Sequence, residues 1–467
     1  MLIGAHRVCL ARRTLVFAVA LLTAWAWSSL AVAQDENEPP GAVQFRDVQV
    51  FNIVGGVSIN ADKLLTNADR DSIARLCQIR RDAMEPIPDA MNKTSGLRKV
   101  SLRKLEAAIK DNLDHRKPLP DAVGLLAGLQ QIRYVLVYPE QKDIVLVGPA
   151  EGWRLDSRGC YVGVNSGRPV MLLDDLLVAL RSAAARPSVM SCSINPTPEG
   201  VGRVRALAQQ VGVGADARVV AAGVQDQLGP QKITVQGVPE TSHFARVMVG
   251  ADYRMKRIGI ALEPSPVRSL PSYVDMIRGG SGGNASMTPR WWLQPDYQPL
   301  LRDDEGLAWE LRGASVRCMT ETDFLDASGV ARPTGRSDAA SQRWADLMTS
   351  HYEELAVVDP VFGQLRNCMD LAVVAALVAK ERLTDKAGES FPLLTGTSGR
   401  LGTVKLDAPK QVAPGASLAR KGKRTMVAAG GVQINPWSAV DKIESTAALA
   451  QVRGKASNAA PGTWWWD

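Results

Sequence analysis

The chain has 467 residues, 46% of them hydrophobic, with 55 Lys and Arg against 48 Asp and Glu for a formal net charge of +7. This composition excludes a disordered polyelectrolyte, a collagen-like fibre and a disulfide-dense scaffold, and the length admits two or three domains with real cores. No cysteine spacing is C-x-x-C, which excludes a thioredoxin-like motif and a zinc knuckle.

His6, Arg7, Arg12 and Arg13 precede an apolar run, Thr14 to Leu30, that ends in Ala31-Val32-Ala33. A positive start, an apolar middle and small residues at positions 31 and 33 make a secretory signal over 1–33, cleaved before Gln34. The mature protein is then periplasmic or secreted. The alternative is an uncleaved anchor of about 17 apolar residues, at the lower limit for a span. Cys9 lies ahead of the apolar run, so it is not placed for lipidation. Cleavage removes three arginines and no acid, and the charge falls to +4. Five cysteines remain, Cys77, Cys160, Cys192, Cys318 and Cys368, and an odd number leaves at least one thiol outside any disulfide.

Residues 34–40 are acidic and Pro-rich, a disordered lead-in. An N-terminal α+β region is expected over 41–150. It opens on an apolar strand-like stretch through Gly55-Gly56-Val57-Ser58-Ile59-Asn60, whose paired glycines suggest a bulge or a close backbone approach. Ile73, Leu76, Cys77 and Met84 fall on one face of a helix starting near Ser72, and Leu102, Leu105, Ile109 and Leu113 on one face of a helix capped at Ser101. Tyr134 to Tyr138 and Ile144 to Val147 read as a hairpin around a five-residue loop.

An α/β region follows over 151–277. Strands are expected at Tyr161 to Val164, Val189 to Ile194, Lys232 to Val238 and Ile258 to Leu262. Helices are expected at Asp174 to Arg186, from Thr197-Pro198-Glu199, and at Ser242 to Met255. Residues 278–290 contain Gly-Gly-Ser-Gly-Gly and read as a linker. The next unit, 291–400, begins with Trp291-Trp292-Leu293 and offers a second hairpin, Leu307 to Leu311 and Val316 to Met319, about Gly313. An αα-hairpin then spans Ala339 to Val357 and Val361 to Leu383, broken at Asp359-Pro360, and its second helix is apolar almost all round. The fold class expected is mixed α/β (α+β): a layered strand-helix body followed by a β-hairpin and αα-hairpin unit. The Gly55 to Asn60 hexapeptide recurs, with one mismatch, at Gly430-Gly431-Val432-Gln433-Ile434-Asn435.

Residues 401–467 hold nine Lys or Arg against four acids, so this tail carries net +5 while residues 34–400 carry −1. Such a distribution suggests an anionic envelope polymer, lipid head groups or another envelope protein as partner, rather than nucleic acid; a solvated linker is the plainer alternative. Trp464, Trp465 and Trp466 can stack on sugar rings, sit at a membrane interface, or dock as a strand on the body.

Catalytic signatures fail on context. Gly279-Gly280-Ser281-Gly282-Gly283 matches G-x-S-x-G, but Asn284 to Arg290 is a poor helix start; Ser101 to Lys104 matches S-x-x-K without its companion motifs. His115, His243 and His351 are the mature histidines, and His351-Tyr352-Glu353-Glu354 lacks the second ligand one turn on that a zinc site needs. Asn67, Asp69 and Asp71 begin like a calcium loop, with Ser72 in place of the required Gly and Gln78 in place of the bidentate Glu. No catalytic, cofactor or metal residue is therefore assigned. Asp252, Tyr253, Arg254 and Lys256 form a polar cluster able to contact an anion, or simply a solvated helix end. Cys318 and Cys368 are the preferred disulfide, should one form.

Ala251-Asp252-Tyr253-Arg254-Met255-Lys256, Arg290-Trp291-Trp292, Leu307 to Gly313, Leu355-Ala356-Val357 and Pro360 to Cys368 together resemble a planctomycete family of secreted proteins, domain of unknown function 1598, over most of residues 45–385. The resemblance implies export and no assigned activity, and it contributes no site residues. The reading that follows is an exported, non-enzymatic cell-envelope or periplasmic binding protein. Its rival is an extracytoplasmic hydrolase with a site assembled from distant residues, which would need His243 or His351 within reach of a serine or cysteine and a carboxylate.

Overall fold

Burial with a period of two organises the larger sheet: Met190, Cys192 and Ile194 are buried, while Ser191, Ser193 and Asn195 on the same strand are not. In the computed structural model the described residues are 54–467 except 55, 61, 186–187, 212–215, 279–284, 326–330, 420–423 and 458–461. The expected signal, its cleavage site, the acidic lead-in and the Gly-Gly-Ser-Gly-Gly stretch lie outside them.

The strands of the two main sheets are, in chain order, β1 (Val57–Ile59), β2 (Leu64–Asn67), β3 (Ser95–Ser101), β4 (Tyr134–Tyr138), β5 (Asp143–Ala150), β6 (Met190–Asn195), β7 (Gln231–Gln236), β8 (Pro289–Asp296), β9 (Leu300–Arg302), β10 (Ala308–Glu310), β11 (Ser315–Leu325), β12 (Ala331–Pro333), β13 (Gln411–Val412), β14 (Ala429–Ile434), β15 (Ile443–Ser445) and β16 (Trp465–Trp466). One sheet has nine strands in the order β1-β2-β13-β7-β6-β14-β8-β11-β12, the other seven in the order β15-β9-β10-β4-β5-β3-β16. The principal helices are α1 (Arg70–Ala83), α2 (Leu102–Asp114), α3 (Leu173–Ala185), α4 (Pro198–Gln210), α5 (Ala217–Leu228), α6 (His243–Gly259), α7 (Ala339–Ser350), α8 (Tyr352–Val358) and α9 (Pro360–Lys380). The class is mixed α/β.

The cap residues act as their chemistry dictates. The side chains of Asp69, Ser101, Thr197 and Ser242 each accept from a backbone N–H in the first turn of α1, α2, α4 and α6. Asp69, read as part of a broken calcium loop, is a helix cap. α9 is buried from Pro360 through Val378 and packs on α3, α6 and α8. It is the one described helix long and apolar enough to cross a membrane, and its apolar window is entirely inside the protein.

Two sequence expectations are corrected. Ile258 to Leu262 is not a strand: α6 continues to Gly259 because Ile258 extends its apolar face one turn beyond Met255, and both are fully buried. The hairpin about Gly313 does not form either. β10 pairs with β9 and β4 in the seven-stranded sheet while β11 pairs with β8 in the nine-stranded one, so Gly313, at φ +123°, redirects the chain between sheets. The described residues form one compact unit, and residues 401–467 supply β13, β14, β15 and β16 to the two sheets.

Candidate functional site

The inner face of the nine-stranded sheet packs on α6 through the strands that carry Met190, Cys192, Ile194, Trp291 and Val432. Trp291 lies edge-on to Tyr273 with centroids 5.3 Å apart and against Trp344 at 4.2 Å. Its neighbour Trp292 points the other way, as strand alternation requires. On that outer face the registers set Gln433 beside Ser191 and Ser191 beside Gln236, and in the next row Thr234, Ser193, Gly431 and Trp292. A groove of about 330 Å³ runs there, lined by Ser191, Ser193, Thr234, Gln236, Trp292 and Gln433, with Arg290 and Glu321 at one side.

Side-chain contacts hold this lining in place. Ser193 Oγ and Thr234 Oγ1 are 3.1 Å apart, and the indole of Trp292 donates to Gln294 Oε1 at 3.0 Å with the Arg290 guanidinium 5.8 Å from its ring centroid. Gly430, at φ +120°, is required by the fold, since a Cβ would collide with the Trp291 carbonyl oxygen. At Gly56, in the first hexapeptide, where a bulge or close backbone approach was expected, a Cβ would meet only Arg158 Cδ at 3.7 Å, an ordinary contact, and Gly55 lies outside the described residues.

The cluster predicted to contact an anion lies beneath this groove, and its cations are paired from within. Lys256 donates to Asp252 Oδ2 at 2.9 Å, to Ile194 O on β6 at 2.7 Å and to Gly430 O on β14 at 3.0 Å. All three ammonium protons are engaged, and the lysine staples two strands of the groove floor. Burial pushes Asp252 up and Lys256 down, while their contact and the two carbonyls favour the ion pair. Arg254 turns away to Asp359, at 2.8 Å, and to Glu263, and Tyr253 stacks under Arg257. These cations are paired with carboxylates, so the four residues do not converge on a shared site.

A second polar cluster is interior. His243 Nδ1 lies 2.9 and 3.0 Å from the Asp175 carboxylate, its Nε2 is 3.5 Å from the Gln364 amide nitrogen, and Cys160 Sγ donates to Gln364 Oε1 at 3.8 Å. Burial alone would lower the His243 pKa, but the charge and hydrogen bond of Asp175 raise it. Asp174 is pushed up to about 7 by burial and by Asp175; one oxygen accepts from Val404 N, and the other has no partner among the described residues. The associated cavity is about 40 Å³, room for water and not for a substrate. Sequence reasoning missed Asp174, Asp175 and Gln364, because an acidic pair in the first turn of α3 and an amide on an apolar helix look like ordinary capping and packing.

The remaining candidates are placed as follows. His351 uses one nitrogen, Nδ1, toward both Ser269 Oγ at 3.3 Å and Glu354 at 3.4 Å, so it cannot relay a proton between them as a triad histidine does. His115 is a surface residue at the C-cap of α2. Trp465 and Trp466 form β16, docked on β3, with Trp465 4.9 Å from the Arg98 guanidinium and Trp466 6.0 Å from Lys104 Nζ; Trp464 packs against the core. Cys77, Cys160, Cys192, Cys318 and Cys368 are all buried, and no disulfide is present among the described residues. Cys318 on β11 donates to Met319 O instead of bonding to Cys368 on α9, and burial raises both thiols. Among the described residues no group of three His, Cys, Asp or Glu is placed to hold a metal.

Fold and site define a mixed α/β protein with an open polar groove on one sheet. Residues 192–273, running from β6 through α6 to Tyr273, match the family described as a protein of unknown function (DUF1598). The match includes Ala251 to Lys256 and one wall of the groove, while Arg290-Trp291-Trp292 and the α8–α9 motifs fall outside it. No curated protein and no solved structure matches the chain.

Proposed function

We propose that this chain is an exported protein of the cell envelope that acts by binding, and that its binding face is the outer side of the nine-stranded sheet. The observation that carries the reading is the groove. It is a concavity of about 330 Å³ lined by hydroxyl and amide groups together with an aromatic ring, on the sheet face opposite the one that packs on α6. Export is supported by the signal-like residues 1–33. An envelope polymer is the partner class; the basic charge of residues 401–467 contributes less, since Lys410 pairs with Glu240 and Arg453 with Glu305. The test has two readouts. Intact mass of the exported protein should begin at Gln34, and the mature protein should co-sediment with isolated envelope; a soluble, unretained protein defeats the reading.

A second reading, an exported thiol hydrolase, is favoured by one observation: Cys160, His243 and Gln364 line one cavity, with Asp175 on the imidazole Nδ1 of His243. The volume of that cavity, about 40 Å³, argues against it. Alkylation of native protein with iodoacetamide decides, because a working nucleophile would label at Cys160 within minutes at neutral pH and a buried thiol would label only after unfolding.

A further inference from the structure

The lining of the groove restricts what it takes. Ser191, Ser193, Thr234, Gln236 and Gln433 offer groups that both donate and accept hydrogen bonds, the pattern that matches a polyhydroxylated ligand. Its two charged residues, Arg290 and Glu321, face each other in register across β8 and β11, so the groove carries no unopposed charge for an anion. Trp292 supplies an apolar ring face, which suits the C–H face of a pyranose. Gly431 leaves the row between Ser193 and Trp292 without a side chain. From β7 to β11 the lining crosses five strands, roughly 19 Å at about 4.8 Å per strand, which exceeds a single ring.

We infer that the groove binds an uncharged, extended polysaccharide, one hexose ring stacked on Trp292 and its neighbours hydrogen-bonded along Ser193, Thr234, Gln236 and Gln433. This rests on the binding reading above and assigns it a ligand class. An acidic polymer would need cations free of carboxylates, and a lipid head group would need an apolar patch beside the charge; the lining has neither. A peptide strand would pair with a sheet edge, whereas this groove lies on a face.

Native gels cast with hydroxyethyl cellulose, laminarin or pullulan, and with alginate as the acidic comparison, test the ligand class on the mature chain. Retardation by a neutral polymer is expected, unchanged in about 0.5 M salt. Trp292→Ala should weaken it about tenfold and Trp292→Phe should retain most of it. Trp292 is on the solvent side of its strand, and Gln236→Ala provides a second loss variant if Trp292→Ala lowers the melting temperature. Retardation by alginate alone, abolished by salt, or by none of the polymers, would overturn the neutral-polysaccharide assignment. Retention on isolated envelope, measured in parallel, separates the two claims: if it persists the binding reading stands without this ligand, and if it is absent both fall.

Discussion

Lys256 shows how residue chemistry that is plain in a sequence acquires its role only from packing. Its charge and its Asp252 partner one turn away are legible, but the carbonyls it holds belong to β6 and β14, separated by more than two hundred residues. Lys256→Met should cost about 3–5 kcal/mol in denaturant unfolding, because it strands a buried carboxylate, and Asp252→Leu added to it should recover much of that loss. A single variant as stable as the parent would show that the staple contributes nothing. Asp174 sets a pH dependence of definite sign. Its folded pKa of about 7 lies above the ordinary 3.8, so the folded state keeps a proton that the unfolded state releases, and stability falls as pH rises through that window. His243, also raised, contributes in the same sense, its stabilisation being lost as pH climbs past its folded value. Glu151 is opposite: burial raises it, but hydrogen bonds from Ser166, Gln130 and Asn165 hold it at about 2, so its stabilisation is present above about 4.5 and lost as pH falls. Asp174→Asn keeps the acceptor for Val404 N and should flatten the decline above pH 4, by up to about 1.4 kcal/mol per pH unit. Thermal melts from pH 4 to 8 in which both proteins decline in parallel would contradict this.

At the scale of elements, helices were the legible part. Caps at Ser101, Thr197 and Ser242 and the Asp359-Pro360 break are local signals, and α2, α4, α6 and α9 follow them. Strand partners were not legible, because they are set by contacts distant in sequence. β14 inserts between β6 and β8, and β16 closes the seven-stranded sheet beside β3. For the same reason the basic segment as a whole did not look like part of the body, although docking as a strand was one of the roles open to its terminal tryptophans, and Trp465 and Trp466 take it. Its strands do pair with the body, and Asp467 ion-pairs with the fully buried Arg98 at 2.8 Å. Ending the chain after residue 400 would remove β14 from the middle of the larger sheet and expose the flanks of β6 and β8. The truncated protein should be recovered unfolded or aggregated by circular dichroism and size-exclusion chromatography. A soluble, cooperatively melting product would show that the last strands are dispensable.

For the whole molecule, the mixed α/β class was within reach of the sequence and the groove was not. The groove draws residues from β6, β7, β8, β11 and β14, and none of Ser191, Ser193, Thr234 or Gln433 is unusual for a strand facing solvent. Only Trp292, the second of a Trp pair in an alternating strand, hinted at an aromatic ring on an open face. Its indole is half-buried beside a row with no side chain at Gly431, and that arrangement makes a binding face out of ordinary strand residues. The most direct measurement places a photo-crosslinking phenylalanine analogue at Thr234 or Gln433 in the groove, and at Val219, 71% exposed on α5, as the control. On irradiation of intact cells, adducts with an envelope polymer are expected from the two groove positions and not from Val219; adducts from Val219 alone, or equally from all three, would contradict the assignment of the groove as the binding face.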